Sequence, residues 1–593
     1  MERNSSHHVE FVPQSVEELH EVLHEQKDVL MYTWDGNDMQ DIPGSEKCQK
    51  VNLSKLLQRY ALEEERTPSL LRSSEIAPDE LVKKMEALQK KIGPDLKITI
   101  EDFENWGKTQ RAHVLSAHPE TLDQLKTLIV AARDMKLKIR CAGAKHSWSA
   151  LFADSKQLLI YMDKMNSDYP NNTKIYMEKN GSNTADVHIM AGVRNEEFKK
   201  FQLDNKINIP ANVILTVVQV ASVIVTGCHG VGKDCNCPCD YVVQIRIVDS
   251  NGQLKIYTRE THGEEMMKAA VANFGLFGVV YDITIRMENS PTFVKTMNEY
   301  FSVNHIFHTT GVLEDLVEKN WSVELFWFPM NSWSLFHPYN PKNDDVWVRL
   351  INKDASGSNK LPDDGYYKTQ NRLDWLSSEM YRCFQSLFKL HITFPSMQRI
   401  AFSTIKDHMY PTRDNLYEKL PEAVHFRKCI EYVPVYDMEF AFDLSEHENY
   451  DLIRQATQFV VNEVESEYKK SRCPLNVAME MRWMSHSDAY LCPASIVKDR
   501  KNKNPKVVYI EILSLEGTYG WKEFFMVIGK KWMELGGVPH LAKQWDFLPD
   551  IHRHIREKFG NSIDSFKQQL QRSGADPKKL FLNEGLQKLL YPE

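Results

Sequence analysis

RCAGAKHSWSALFAD, residues 140–154, decides how the chain is read. A helix precedes it: PETLDQLKTLIVAARD carries Thr121 as N-cap and Gln124 three residues on, a capping box that satisfies otherwise unpaired N–H groups at the helix start. KLKIRCA then reads as a short strand, and Ala142, Gly143 and Ala144 turn the chain directly ahead of His146. Small residues let backbone N–H groups approach an anion such as a pyrophosphate, because no side chain holds it off and glycine accepts dihedrals that others avoid. Two further loops have this character: VTGCHGVGK at 225–233, after an apolar run, and FGLFGVVYDITI at 274–285, which ends in a strand. Singly, each is a common turn, and a lone histidine is more often a hydrogen-bonded structural residue. Their order along one stretch of chain sets them apart.

With 593 residues the chain exceeds a single hydrophobic core, and two or three domains are expected. Its composition is that of a globular protein, 42% hydrophobic and 26% charged, and the net charge of −8 provides no basic excess for nucleic acid. There is no apolar run of about 18 residues and no charged-then-apolar leader, so neither a membrane span nor a signal peptide is expected. The final residues, LLYPE, are not an SKL-type address, and the cytosol is the default compartment. Cys228, Cys235, Cys237 and Cys239 crowd into GCHGVGKDCNCPCD. The spacing lacks the paired C-x2-C knuckles that hold zinc, which leaves reduced loop thiols as the main reading, structural metal as the minor one, and no metal as the expectation.

From about residue 112 helix and strand alternate. QLLIYMDKMN and DVHIMAGV are strand candidates, and YVVQIRIVDSNGQLKIYT is a hairpin turned by Asn251-Gly252. From about 290 to 530, SVELFWFPM, VYDMEFAFDL, VAMEMRWM and VVYIEILSL read as strands among helices such as YDLIRQATQFVVNEVESEYKK, which suggests an antiparallel sheet with helices on one side. SGSNKLPDDG, 356–365, is a polar loop within it. The first hundred residues repeat the same grammar in miniature. A Ser15 cap with Glu18 opens a helix, Val29 to Thr33 follows as a strand, and CQKVNLSKLLQRYALE parallels QLLIYMDKMNSDYP. Either this is a degenerate, shortened copy of the start of the next domain, or it is a common helix-strand unit.

Across residues 105–290, NWGK, AGAKHSWS, the AGV at 191, TGCHG and FGLFGVV resemble the FAD-binding domain of the vanillyl-alcohol oxidase (PCMH-type) superfamily, in its alditol oxidase and aldonolactone (L-gulonolactone) oxidase branch. Far along the chain, MEMRW (479–483) resembles the branch's E-x-R strand, VPHLAKQWD (538–546) its P-H-W-G-K segment, and DPKKLFLNE (576–584) its closing D-P-x-x-x-F-x-N, with Asn583 in place. Residues two apart on a strand share a face, so Glu480 and Arg482 can project together.

The resemblance implies an α+β protein: an N-terminal extension (1–104), a two-subdomain FAD-binding domain (105–290), and an antiparallel-sheet substrate or cap domain with flanking helices (291–593) whose C-terminal segment returns to the flavin. It implies that FAD is the cofactor, carried covalently on His146, and that Gly143, Ala144, Lys145, Ser147, Ser222, Thr226, Gly227, His229, Gly230, Gly278, Val279, Val280 and His540 surround it. Catalysis then falls to Glu480, Arg482 and Lys543. The implied reaction oxidises a CH–OH group of a polyol, sugar lactone or related small alcohol by hydride transfer to flavin N5, with oxygen or another acceptor completing the cycle. An alternative is a flavin-binding scaffold that has lost turnover.

Two departures bear on this. IPANVILTVVQVAS places Val213 and Ile214 where the family carries a small residue and then a polar one, which implies restricted access of oxygen to the flavin and one hydrogen bond fewer to a polyol, typically worth ~0.5–1.5 kcal/mol. Leu541 and Ala542 replace the tryptophan and glycine of the lysine segment and change its shape without removing its charges.

Overall fold

The computed structural model describes residues 32–33, 51–52, 78–155, 157–332, 338–362, 366–367, 415–426, 433–445, 450–501 and 504–592. In the first unit, strands β1 (Ile98–Glu104), β2 (Arg111–Ala117), β3 (Ile139–Ala142) and β4 (Leu158–Tyr161) form one sheet in the order β1-β2-β4-β3. β2, β4 and β3 run parallel, and β1 closes the edge antiparallel to β2. Helix α1 (Pro78–Ile92) packs against α2 (Leu122–Asp134) and β1, so this unit extends N-terminally of residue 105. The capping box read from the sequence is present at α2, with Thr121 and Gln124 satisfying each other's backbone.

A second sheet, β8-β7-β9-β6-β5, is antiparallel and comprises β5 (Ile175–Asn180), β6 (Thr184–Met190), β7 (Val242–Val248), β8 (Leu254–Thr258) and β9 (Val279–Glu288). The expected hairpin at Asn251-Gly252 joins β7 to β8, with Gly252 at φ +74°.

Eight strands make the third sheet: β10 (Phe293–Ser302), β11 (Ser322–Trp327), β12 (Asp345–Lys353), β13 (Leu416–Lys419), β14 (Val435–Asp443), β15 (Ala478–Met484), β16 (Val507–Leu515) and β17 (Val538–Pro539). Their order is β13-β10-β12-β11-β15-β16-β14-β17, antiparallel throughout. Side chains alternate across a strand, which sorts β14 cleanly. Phe440 and Phe442 meet Trp532 of helix α4 (Trp521–Glu534), itself packed on α3 (Asp451–Lys469), while Asp437 and Glu439 face the other way, toward the first two sheets. The sheet therefore has one face sealed by helices and one left for a cavity.

The C-terminal segment crosses back to the first unit. Ile139 N–H donates to the Leu580 carbonyl, Arg140 to that of Phe581, and Asn583, the N-cap of α5 (Glu584–Leu590), donates to the carbonyls of Ala150 and Phe152 at 2.8 and 3.0 Å. Of the first hundred residues' repeated grammar, the Ser15 helix lies outside the described residues. Tyr32–Thr33 pairs in parallel with Val51–Asn52, the partners 19 residues apart, which is the separation of Ile139 and Leu158 in β3 and β4.

Candidate functional site

The three small-residue loops converge on one cavity, closed on its far side by the free face of the eight-stranded sheet. The loop walls are built by close approach. A Cβ on Gly143 would stand 2.2 Å from Gln219 Oε1 and 2.7 Å from Ser222 Oγ. Gly278 has φ +135°, and a Cβ there would meet the Val248 carbonyl oxygen at 2.2 Å. Only glycine fits both constraints at Gly278.

His146 ends the first loop with its ring stacked on Trp106, centroids 4.4 Å apart. Its Nδ1 is buried and has no hydrogen-bond partner. Burial, and secondarily the Lys543 charge, push its pKa down to about 3, so the imidazole is neutral with an uncommitted nitrogen. The residues that follow explain the rest of the motif. Trp148 Nε1 donates to the Val435 carbonyl at 2.7 Å, Trp148 N–H to that of Ala542, and Ser149 Oγ to that of Leu541, so the histidine loop is bolted to the sheet and to the lysine segment. Asn105 Nδ2 holds the Ser147 carbonyl at 2.9 Å.

On the sheet and the segment after it, Glu480, Arg482 and Lys543 lie together, joined by four acidic residues that the motifs did not mark, Asp437, Glu439, Glu511 and Glu324. Register places Glu439, Glu511 and Glu480 side by side on β14, β16 and β15, with Tyr509 beside Arg482. Lys543 Nζ bonds both Asp437 and Glu511. Burial alone would depress the lysine, but Asp437, Glu511 and Glu439 hold it well above its ordinary value. Arg482 donates to Glu480 at 2.8 Å and lies 3.4 Å from Glu324. Burial pushes Glu480 up to about 8 against the pull of Arg482 and with help from Glu511. His229 Nε2 pairs with Glu439 at 2.7 Å and stacks on Tyr509, centroids 3.7 Å apart. His540 is buried and pushed down to about 4.

Ala144, Lys145, Ser147, Ser222, Thr226, His229, Val279, Val280 and His540 line the cavity with Gly143, His146 and Gly278, as do Val213 and Ile214. Gly227 and Gly230, expected beside them, stand behind the wall: a Cβ on Gly227 would meet Cys492 at 3.2 Å, and one on Gly230 the backbone of Asn212 at 2.5 Å. They shape the loop from outside it. Lys145 turns to Glu101 at 2.8 Å, and the Thr226 hydroxyl is spent on the Ser222 carbonyl. Cys237 and Cys239 are buried, Cys237 Sγ lies 3.6 Å from Cys492 Sγ, and Cys228 borders the cavity. Among the described residues no group of three or more His, Cys, Asp or Glu is arranged to hold a metal ion. Nor is any helix among them long and apolar enough to cross a membrane.

Asp437, Glu439 and Glu511 left a signal in the sequence. An acidic residue inside an apolar strand, as in VYDMEFAF and VVYIEIL, is costly unless paired, so each such carboxylate asks for a partner.

Loops that exclude side chains, together with an unpartnered buried ring nitrogen, fit a dinucleotide flavin. An FAD-binding domain profile matches residues 115–257, and the D-arabinono-1,4-lactone oxidase profile matches residues 283–589. The D-arabinono-1,4-lactone oxidase of Debaryomyces hansenii is 24% identical over 40% of this chain and 43% of its own length. That of Saccharomyces cerevisiae is 25% identical over 38% and 41%. The match thus spans about two fifths of these relatives. Among solved structures, cholesterol oxidase from B. sterolicum superposes with a TM-score of 0.67 at 16% identity, covering 84% of this chain and 98% of the other, and a solvent-stable cholesterol oxidase does so at 0.64. These likenesses show the fold, a two-subdomain PCMH-type FAD-binding unit with an antiparallel-sheet domain. With its flavin unit in place and the lactone oxidase profile covering more than half its length, the chain belongs to the D-arabinono-1,4-lactone oxidase family.

Proposed function

We propose that the protein is an FAD-dependent oxidoreductase that oxidises a CH–OH group of a lactone or related small alcohol, as the names of its relatives suggest. One observation carries this: the neutral His146 and the Glu480–Arg482 and Lys543 charges border the same cavity. FAD, when bound, supplies the hydride acceptor. Gly143, Ser222 and Gly278 would admit its pyrophosphate, and His146 Nδ1 is the free nitrogen suited to covalent attachment.

The chain's own residues do the rest. Arg482 and Lys543 bind substrate oxygens and favour the alkoxide, in a site where fixed charges need no rearrangement. Glu480 in its ionised form takes the hydroxyl proton, and with its pKa pushed up to about 8 that form is a stronger base than an ordinary carboxylate. Asp437 and Glu511 keep Lys543 charged and in place. Trp106 stacks on His146 and Trp148 meets it edge-on, which fixes the imidazole at the cavity wall.

Oxygen or another acceptor completes the cycle, with Val213 and Ile214 in the position to decide which. Acid precipitation tests the attachment. Wild-type pellet should stay yellow and His146→Ala pellet should not, and colour wholly in the wild-type supernatant overturns it. Anaerobic addition of D-arabinono-1,4-lactone and of simple polyols should bleach the flavin. A flavin that stays oxidised with every alcohol and lactone tried would make the protein a flavin-binding scaffold.

A further inference from the structure

We infer that the cavity's second half is a specificity site for an apolar substituent, so that the substrate is a neutral lactone or alcohol carrying an alkyl or aryl group; the inference rests on the oxidoreductase reading above. The pairing register runs Glu511, Glu480, Phe326, Trp347 straight across β16, β15, β11 and β12. Directly paired residues of an antiparallel sheet share a face, and all four border the cavity. Polarity therefore changes within one strand spacing, from carboxylates to rings.

The ring side is built as a wall. Phe326 and Trp347 stack at 4.7 Å, and Phe426 meets both edge-on at 6.1 and 6.0 Å. The only polar atom of these three side chains is engaged, because Trp347 Nε1 donates to Asn298 Oδ1 at 2.9 Å. The Arg349 guanidinium lies 3.9 Å over the Phe426 ring, and its N–H groups are committed to Glu324 and the Ala423 carbonyl. Phe328 and Ile214 continue the surface into the cavity.

A polyhydroxylated tail laid on this wall would leave hydroxyls unpaired away from water, whereas methylenes are welcome there. An anionic tail has no better prospect. Lys543 and Arg482 stand at the polar end among Asp437, Glu511, Glu480 and Glu324, and the cation beside the rings, Arg349, is committed to Glu324 and the Ala423 carbonyl. An ordinary core would use the same rings, but it would not open them onto the cavity that holds His146 and Glu480.

The test uses the flavin-loaded protein and γ-lactones lacking an oxidisable hydroxyl, from γ-butyrolactone to γ-nonalactone, with binding read from perturbation of the flavin spectrum and from tryptophan fluorescence. Each added methylene should tighten binding about threefold to fourfold until the wall is covered. Phe326→Asn should flatten that dependence, and Phe326→Leu, which keeps the surface apolar and guards against a folding defect, should retain most of it. Binding independent of chain length, or tighter binding of D-arabinono-1,4-lactone than of an alkyl lactone of equal size, overturns the inference. The two readings fail differently. If alkyl lactones bind but no hydroxylactone bleaches the flavin, the oxidoreductase reading falls and the apolar site stands. If hydroxylactones bleach it with a preference for the most hydroxylated, the specificity site falls and the oxidoreductase reading stands.

Discussion

The cavity has two walls that recognise by opposite means. On the loop side, recognition is by backbone: Gly143 and Gly278 sit where a single Cβ would collide with Gln219 or the Val248 carbonyl, and of the cations there Arg140 is spent on three carbonyl oxygens and Lys145 on Glu101. On the sheet side the backbone is consumed by strand pairing and recognition is by side chain, with paired charges at one end and rings at the other. The difference teaches where each kind of substitution acts. Added volume should destroy the loop wall, and altered charge should disable the sheet wall without evicting the cofactor.

The sharpest way to break that contrast is Gly278→Ala. A residue with a Cβ at φ +135° carries ~1–3 kcal/mol of backbone strain, and here it also meets a backbone oxygen that cannot swing aside. We expect loss of bound FAD and a melting temperature lowered by several degrees, read by absorbance of the purified protein and by thermal unfolding. Retention of stoichiometric FAD would show that the wall tolerates side chains after all.

Next comes Lys543→Met, which should keep FAD yet leave the Asp437 and Glu511 carboxylates facing each other unneutralised. Breaking a buried ion pair by removing one partner costs about 3–5 kcal/mol, and we expect anaerobic flavin reduction to slow by about 100-fold, ~2.7 kcal/mol. Adding Asp437→Asn should restore part of the stability but not the rate, because it removes the repulsion without returning the cation. A double variant no more stable than the single one would mean that the two carboxylates share a proton without cost.

This contrast also explains what could be read in advance. The loop wall is local: its glycines, His146 and the Thr121 cap lie within short stretches, and short-range sterics leave a recognisable pattern of small residues. The sheet strands were legible for the same reason, since period-two alternation is written along each one. What was not written is which strand lies beside which. Glu480 and Arg482 were visible because they share a strand, whereas Asp437, Glu439, Glu511 and Phe326 become neighbours of theirs only through the order β11-β15-β16-β14, which no local pattern encodes. Gly227 and Gly230 show the converse limit. Their sequence context is that of a contact loop, but their close neighbours are Cys492 and Asn212, and nothing local distinguishes the inner from the outer side of a turn.

A smaller, pH-dependent effect separates the sheet charges from one another. Glu480 moves from 4.5 to about 8 on folding, so the folded state holds a proton that the unfolded state has released. Its contribution to stability is complete below about 4.5 and is lost as pH rises toward 8. His540, taken from 6.5 down to about 4, acts the other way: its contribution is complete above 6.5 and is lost as pH falls toward 4. Between pH 6.5 and 8 only the Glu480 slope of this pair remains. Thermal unfolding should therefore show wild type losing stability across that window and Glu480→Gln losing less of it. Parallel curves for the two proteins would remove Glu480 from the role of proton acceptor.

The smallest expected change concerns the boundary between the two walls. Val213 borders the cavity from the loop between the helices Asn195–Asn205 and Val220–Val225, its N–H held by Asn212 Oδ1 at 2.8 Å and its side chain only half-buried. On the proposed reading its two methyl groups fill volume that an oxygen molecule would need near the flavin, while the charges proposed to serve substrate oxidation stand on or beside the sheet. Val213→Gly should thus leave anaerobic reduction nearly unchanged and speed reoxidation by air about threefold or more, ~0.65 kcal/mol of barrier. Stopped-flow reoxidation at several oxygen concentrations reads this directly, and an artificial dye acceptor serves as the control because its approach need not pass the same methyls. The backbone anchor at Asn212 does not depend on the Val213 side chain, so the loop keeps its path in the variant. Equal oxygen rates in the two proteins, with wild type already fast, would place the gate elsewhere and make the enzyme an unhindered oxidase. Slow reoxidation in both, with the dye fast in both, would mean that Ile214 or the ring wall governs oxygen and that the acceptor in use is a larger molecule reaching the flavin edge.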